Sequence, residues 1–243
     1  MYSMFKKEVQ SYFYSPFAYT IIGVFLFIFS FTFINWITTI QTVKFSFSFA
    51  TIFYNYFYFF IFLIPALTMK TFAEERKNNT EVLLMSTPLN VFKIVMGKFL
   101  ALVLVYFTMM VATFIYPIIT LIFGEVKWSS LICGYVGFFM WGLVCICIGM
   151  LISSFTENQI IALVVSEVIM ALLLLVDNIK DSTFLYSKMN IIYRFLNWLS
   201  PQERFYGFSQ GVLSLSDVVF YISLIVVLLA WTMLSVETRR YRK

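Results

Sequence analysis

Charged residues are so sparse along this chain that they divide it into long apolar stretches. Five stretches of 19 to 35 residues contain no Asp, Glu, Lys or Arg, and a sixth of 19 residues contains only Glu167. A helix that crosses a bilayer needs about 20 mostly apolar residues. The pattern therefore predicts an all-α integral membrane protein with six transmembrane helices. The predicted spans are about 17–40, 47–69, 99–123, 131–154, 158–176 and 218–236.

The basic residues predict the orientation of these spans. Cytoplasmic short loops are enriched in Lys and Arg. With both termini inside, eleven of the seventeen basic residues are cytoplasmic, whereas the short outer loops hold only Lys44 and Lys127. We therefore expect an N-in, C-in, multi-pass protein of the inner or plasma membrane. This bias also accounts for the net charge of +5, so we expect the lipid bilayer, and no nucleic acid, as a partner.

Two segments outside the spans are also predicted to be helical. Residues 1–16 place apolar side chains, among them Phe5 and Val9, on one stripe with Lys6 and Lys7 between them, as in an amphipathic helix on the inner membrane surface. The outer loop at 177–217 is rich in aromatic and aliphatic residues, which favours interfacial or re-entrant helices. Because no repeat or low-complexity linker divides the chain, residues 1–243 are predicted to form a single membrane domain.

The loop between the second and third spans carries the signals of a short cytoplasmic helix. Thr80 is a suitable N-cap, Glu81 lies near the positive end of the helix dipole, and Pro88 ends the segment. A helix of about two turns is not stable alone, so we expect it to bind another subunit. Asn90 is predicted to cap a further helix that runs into the third span. The apolar face of the short helix is Val82, Leu83 and Met85.

The composition excludes most kinds of chemistry. Hydrophobic residues make up 61% of the chain and charged residues 12%, against about 25% charged residues in soluble domains, so a soluble enzyme is excluded. The chain has no His and only three Cys, all in one apolar stretch, and we predict neither catalytic residues nor a metal site. It also lacks a G-x-x-x-x-G-K-[ST] loop, so we expect no nucleotide or other cofactor in this chain.

Two features within the predicted spans allow more than one interpretation. An ionised carboxylate at a helix centre costs about 2.5 to 3.5 kcal/mol on insertion scales, so Glu167 needs a reason to be there. A hydrogen bond to a neighbouring helix is favoured over contact with a transported molecule. The aromatic run at 53–60 could line a path for a lipid-like cargo, but we expect it to face lipid.

Several motifs together resemble one family of transporters. The run from Glu75 to Pro88 resembles the E-x-[KR]-x-x-G-T-x-E-x-L-L-x-x-P signature of ABC-2 type (type V) exporter permeases, and residues 92–99 resemble its continuation. Asn79 replaces the Gly of that signature, and Asn is the residue that next best tolerates a left-handed backbone. Further segments resemble the gliding-motility and copper-maturation permease branch. These segments are 6–8, 14–16, 152–159, 204–205, 211–213 and Asp217.

The resemblance implies a non-catalytic permease subunit of an ATP-driven exporter. It implies that the helix after Thr80 is a coupling helix that docks on a separate ATPase subunit, and that residues 155–159 form a second, smaller contact. It also implies two permeases and two ATPases, with ATP and Mg²⁺ bound by the ATPases and the substrate path between the permeases. The second permease is either another copy or a paralogue. The implied coupling residues are Thr80, Glu81, Val82, Leu83, Leu84, Met85, Pro88, Phe155, Thr156, Glu157, Asn158 and Gln159.

A function of a different class also fits the same architecture. The alternative is a membrane channel or scaffold protein whose cytoplasmic loop binds some other partner. The two functions differ in a simple biochemical property, because only the exporter subunit should co-purify with an ABC ATPase and change its rate of ATP turnover.

Overall fold

The computed structural model describes residues 2–42, 49–81, 90–123, 126–180 and 200–241, and among them it contains helices and no strand. The predicted all-α class is thus confirmed. Asn90 also caps a helix as predicted, because its side-chain oxygen accepts a hydrogen bond from the N–H of Phe92 at 3.3 Å. The described helices are α1 (Tyr2–Tyr14), α2 (Pro16–Thr42), α3 (Phe49–Phe57), α4 (Phe60–Thr68), α5 (Lys70–Lys77), α6 (Val91–Ala112), α7 (Ile115–Phe123), α8 (Trp128–Phe155), α9 (Gln159–Lys180), α10 (Pro201–Ser209) and α11 (Leu215–Tyr241).

Four helical segments in the described chain are long and apolar enough to cross a membrane. They are Pro16–Thr38, Val91–Ile122, Trp128–Phe155 and Leu215–Arg239. The fifth predicted span coincides with α9, whose apolar part, Gln159–Leu175, is shorter. The second predicted span is interrupted, because α3 ends at Phe57 and α4 begins at Phe60. The chain is therefore a multi-pass membrane protein, whereas six crossings, their orientation and the single domain remain predictions.

Helix α8 forms the centre of the bundle. In its most apolar window 72% of the residues are buried, against 28% in the corresponding windows of α2 and α11. Helices α3 to α6 and α9 to α11 all pack against it. Glycines allow two of these approaches, because a side chain at Gly142 would overlap the ring of Tyr106, and one at Gly149 would overlap Thr68.

Two short helices pack on this bundle from outside the predicted spans. Helix α1 crosses α6 at Gly97, which lies against Met4. Its buried residues are Met4, Glu8 and Tyr12, and of the predicted apolar stripe Tyr12 is buried while Phe5 and Val9 are half-buried. Helix α10 is part of the loop predicted at 177–217 and packs on α3 and α8. Residues 181–199 of that loop lie outside the described residues.

Candidate functional site

A buried ion cluster joins α1, α5 and α6. The Nζ atom of Lys98 lies 3.1 Å from Oε1 of Glu8 and 2.9 Å from Oε1 of Glu75, and it donates to the carbonyl oxygen of Thr71 at 2.8 Å. Lys98 is only 1% exposed. A buried ammonium group persists only when it is paired and hydrogen-bonded, and here every partner lies on a different turn or helix. We call Glu8, Glu75 and Lys98 the Lys98 triad.

A polar cavity of about 270 Å³ adjoins the triad between α1 and α5. Tyr12 lines it, and burial raises the pKa of the Tyr12 hydroxyl although a hydrogen bond with Thr71 acts in the opposite direction. The phenol therefore stays neutral at physiological pH and contributes hydrogen bonds rather than charge. The cavity's other lining residues include Lys7, Ser11 and Lys70. The hydrogen bond between Tyr12 and Thr71 therefore links α1 to α5 beside this cavity.

Ser153 of α8 fixes the beginning of α5. Its Oγ accepts hydrogen bonds from the N–H groups of Phe72 at 3.0 Å and Ala73 at 3.2 Å, and it donates to the carbonyl oxygen of Met69 at 3.1 Å. Backbone N–H groups in the first turn of a helix lack partners within the helix. Ser153 supplies such partners from another helix, so α5 starts at a fixed place on α8.

The end of α5 turns sharply at Asn79. Asn79 has a positive φ of 56°, its N–H donates to the carbonyl oxygen of Arg76 at 2.9 Å, and the N–H of Thr80 donates to that of Glu75 at 2.9 Å. These two bonds define a Schellman motif, in which a left-handed residue, usually Gly, ends a helix. The expectation that Asn79 replaces a Gly for its backbone conformation is confirmed. The Thr80 hydroxyl donates to the carbonyl oxygen of Glu75 at 3.2 Å.

Arg76 brings together the two segments that were implied to contact an ATPase. Its Nε donates to Oε1 of Glu81 at 3.3 Å, and its Nη1 donates to the carbonyl oxygen of Thr156 at 3.3 Å. Arg76 is 5% exposed, and burial lowers the pKa of its guanidinium group while Glu81 raises it. One buried cation thus links the first implied segment to the second.

The second implied segment forms the connection between α8 and α9. The Asn158 side chain caps α9 by accepting from the N–H of Ile160 at 2.9 Å, and the Asn158 N–H donates to Oγ1 of Thr156 at 3.0 Å. The carbonyl oxygen of Phe155 accepts from Nη2 of Arg239 at 2.9 Å. The side chain of Phe155 is 48% exposed, which leaves an apolar group at the surface beside this connection.

An open cavity of about 590 Å³ lies between the end of α5 and the second implied segment. Its lining residues are Arg76, Lys77, Asn79, Glu157, Asn158, Gln159 and Ile160. Val82, Leu83, Leu84, Met85 and Pro88 lie outside the described residues, so their part in a coupling helix stays a prediction. Arg76 brings Glu81 close to Thr156, whereas Thr80 lines the cavity beside the Lys98 triad.

Glu167 is separate from this cluster. It lies in the middle of α9, is half-buried and has no hydrogen bond or ion pair with any described residue. Its neighbours Val164 and Val168 are 48% and 52% exposed. The hydrogen bond that was expected between Glu167 and a neighbouring helix is therefore not found within the described chain.

Lys98 and Ser153 were missed by the sequence reasoning. A signal for the triad existed, because Glu8 and Lys98 are the last charges before two of the apolar stretches and have opposite signs. Both residues are thus expected at the same level of the membrane, where they can pair. Ser153 gave no such signal, because its partners are backbone groups that every residue possesses.

Comparison with known families matches most of the chain to a family of transporters. Residues 35–238 match the family model described as ABC-2 family transporter protein. The match covers well over half of the chain and includes Arg76, Lys98, Ser153 and Glu167, whereas α1 with Glu8 precedes it. A search of curated proteins finds no match.

Proposed function

The chain belongs to the ABC-2 family of transporter proteins, and we propose that it is the permease subunit that couples an ABC ATPase to export. Family membership makes the chain the membrane component of an ABC transporter, a component that is generally non-catalytic, and it implies an ATPase partner. In this proposal ATP and Mg²⁺ are bound by the ATPase, and this chain forms the path of the transported molecule.

The observation that supports this proposal is that α5 contacts several other parts of the bundle. Helix α5 leads directly into the segment from Thr80 to Pro88. It is bonded to α8 through Ser153, to α1 and α6 through the Lys98 triad, and to the α8–α9 connection through Arg76. A displacement of the Thr80–Pro88 segment would therefore be transmitted to α1, α6, α8 and the α8–α9 connection rather than absorbed in a loop.

The proposal includes the wider assembly. Two permeases and two ATPases form the transporter, with the second permease a copy or a paralogue and the substrate path between the permeases. The six spans cross the inner membrane with both termini in the cytoplasm. The motifs at 152–159 and 204–217 support a place in the gliding-motility and copper-maturation permease branch.

The orientation is tested by the accessibility of single added cysteines. The native residues Cys133, Cys145 and Cys147 are buried, so an impermeant thiol reagent should leave the unmodified chain unlabelled. Asn79→Cys should react only after the cells are opened, whereas Gln210→Cys should react in intact cells. Labelling of Asn79→Cys from outside would overturn the topology and the coupling proposal together.

The coupling is tested with the double change Leu83→Asp and Leu84→Asp. An ABC ATPase should co-purify with the unmodified chain, and the double variant should release it or separate ATP hydrolysis from transport while the permease stays folded. Asn78→Asp adds negative charge to the neighbouring turn and serves as the control that keeps the ATPase. Unchanged binding and transport in the double variant would leave the loop as a connector and favour the channel or scaffold alternative.

A further inference from the structure

An open apolar groove of about 550 Å³ runs between α1 and α6 on the outside of the bundle. Tyr2, at one side of it, is 75% exposed, and Phe107, at the other, is 55% exposed. Five of the six lining residues are purely apolar, so the groove suits a hydrocarbon chain. The lining residues are Tyr2, Phe5, Leu100, Val103, Leu104 and Phe107.

The α6 side of this groove continues into an exposed cation. Lys93, Leu100 and Phe107 follow one another at intervals of seven residues, which places them on one stripe of the helix. The opposite side of α6, with Leu102 and Met109, is buried, whereas Lys93 is exposed. Seven residues of an α-helix span about 10 Å. Lys93 therefore precedes the apolar groove by about 10 Å along the same stripe.

Helix α1 supplies a second cation beside the groove. Tyr2 and Lys6 are four residues apart and are therefore neighbours on one side of α1. The single acidic residue of α1 and α6 is Glu8, and it is buried in the Lys98 triad. The exposed charges on these two helices are thus all positive. Neither Lys6 nor Lys93 forms an ion pair with a described residue, so both ammonium groups are available to an anion.

We propose that this groove binds an anionic phospholipid of the inner leaflet, with an acyl chain in the groove and the headgroup phosphate paired with Lys6 and Lys93. Ammonium groups form charge-assisted hydrogen bonds with phosphate oxygens. A lipid bound in this way contacts α1 and α6 together, and it stabilises the crossing that holds Glu8 against Lys98. This inference goes beyond the proposed function and shares with it only the orientation of the chain.

Thermal unfolding of the full chain in detergent tests the selectivity for the headgroup. A ligand that binds the folded state raises the unfolding temperature. Phosphatidylglycerol should do so at concentrations about tenfold lower than phosphatidylcholine with the same acyl chains, because a basic residue near the membrane surface favours an anionic lipid about fivefold. Glycerol phosphate, which has the charge without the chains, should have no effect. Equal effects of the two phospholipids, or of glycerol phosphate and phosphatidylglycerol, would overturn the inference.

Single lysine variants test where the headgroup binds. Lys6→Gln and Lys93→Gln should each weaken the effect of phosphatidylglycerol about fivefold. Lys7→Gln is the matched control, because Lys7 is also exposed on α1 but lines the polar cavity beside the triad rather than the groove. The control should respond to phosphatidylglycerol like the unmodified chain. Equal losses in Lys6→Gln and Lys7→Gln would show a general attraction to the basic surface and would overturn the site.

A bulky side chain in the groove tests the position of the acyl chain. Val103→Trp should remove the effect of phosphatidylglycerol although Lys6 and Lys93 are unchanged, because the indole ring occupies the groove. Val111→Trp is the control on the same helix, since Val111 is 48% exposed and lies outside the groove. The unfolding temperatures without lipid show whether both variants are folded, and the lysine variants test the site independently. An unchanged lipid effect in folded Val103→Trp would overturn the role of the groove.

Discussion

The middle and the end of α8 are held in place by different chemistry. Near the middle of this 28-residue helix the contacts are aromatic: the ring of Phe57 lies 4.6 Å from that of Trp141 and 4.8 Å from that of Phe205, between centroids, and all three residues are buried. Near its end the contacts are ionic and hydrogen-bonded, through Ser153 and Arg76. Trp141 and Ser153 are separated by about 18 Å along the helix.

The two regions differ in how they respond to a change of one residue. Aromatic packing depends on filled volume and tolerates a replacement of similar size. A buried ion pair depends on specific partners, and the loss of one partner leaves a charge without compensation. The region next to α5, which we propose meets the ATPase, is thus the one in which a small displacement has the larger energetic consequence.

The strongest test of this difference is Lys98→Met. Methionine fills a similar volume but leaves the buried Glu8 and the half-buried Glu75 without a cation, and we expect a loss of about 3 to 5 kcal/mol of stability. Lys93→Met, at an exposed position of the same helix, is the control and should change stability little. Thermal unfolding in detergent measures both variants. Equal unfolding temperatures would show that the triad does not hold α1 and α5 to α6.

In the aromatic region at the middle of α8 we expect a loss of stability of similar or smaller size for Phe57→Ala. The cavity between Trp141 and Phe205 should cost about 3 kcal/mol, and Phe57→Leu should restore most of the loss because packing there needs volume rather than a particular group. Phe62→Ala, at a 62% exposed position, is the control in the same unfolding assay. Failure of Leu to restore stability would mean that ring geometry, and not volume, stabilises this region.

A smaller effect is expected for Ser153→Ala. The change leaves the N–H groups of Phe72 and Ala73 without their acceptor and should cost about 1 to 3 kcal/mol. Hydrogen exchange of peptides that cover α5 should accelerate, while Ser223→Ala on α11, whose hydroxyl bonds only within its own helix, should leave it unchanged. Unaltered exchange in Ser153→Ala would show that α5 is held by the triad alone.

The smallest effect is expected at the turn that follows α5. Asn79→Gly should be neutral within a few tenths of a kcal/mol, because Gly adopts a positive φ without strain. Asn79→Ala should cost about 1 kcal/mol, because an ordinary side chain is disfavoured in this conformation. Comparison of the two unfolding temperatures checks the prediction. An Ala variant as stable as the Gly variant would mean that the turn changes shape at no cost.

The sequence predicted the helical class and four long apolar helices, because charge spacing alone indicates where such helices lie. The backbone conformation at Asn79 and the cap at Asn90 were also predicted, since both depend on local chemistry. Which sides of these helices face the core was not predictable. The expectation that the aromatic run at 53–60 faces lipid was wrong for Phe53 and Phe57, which are 0% exposed. In this chain the lipid-facing and the buried sides of the helices are both apolar. Hydrophobic periodicity therefore does not show which side of a helix faces the core.

The candidate site was predictable only in part, and for a related reason. Thr80, Glu81 and residues 155–159 were implied by a motif, but motifs do not show that Arg76 links them. Burial of Lys98 depends on the crossing of α1 over α6 at Gly97, and such a crossing depends on tertiary packing rather than on local sequence. The second implied segment is held largely through its backbone carbonyl groups. Every residue has such a group, so the sequence does not indicate which of them accept these hydrogen bonds.

The composition of the Lys98 triad has a consequence for how this protein diverges among its descendants. Two acids share one base, so a lineage that loses Glu8 or Glu75 alone still pairs Lys98 with the remaining carboxylate and the carbonyl oxygen of Thr71. A lineage that loses Lys98 first leaves both acidic side chains without a cation at once. We therefore expect related sequences to vary at position 8 or at position 75, one at a time. They should vary at position 98 only where both acidic residues have already been replaced.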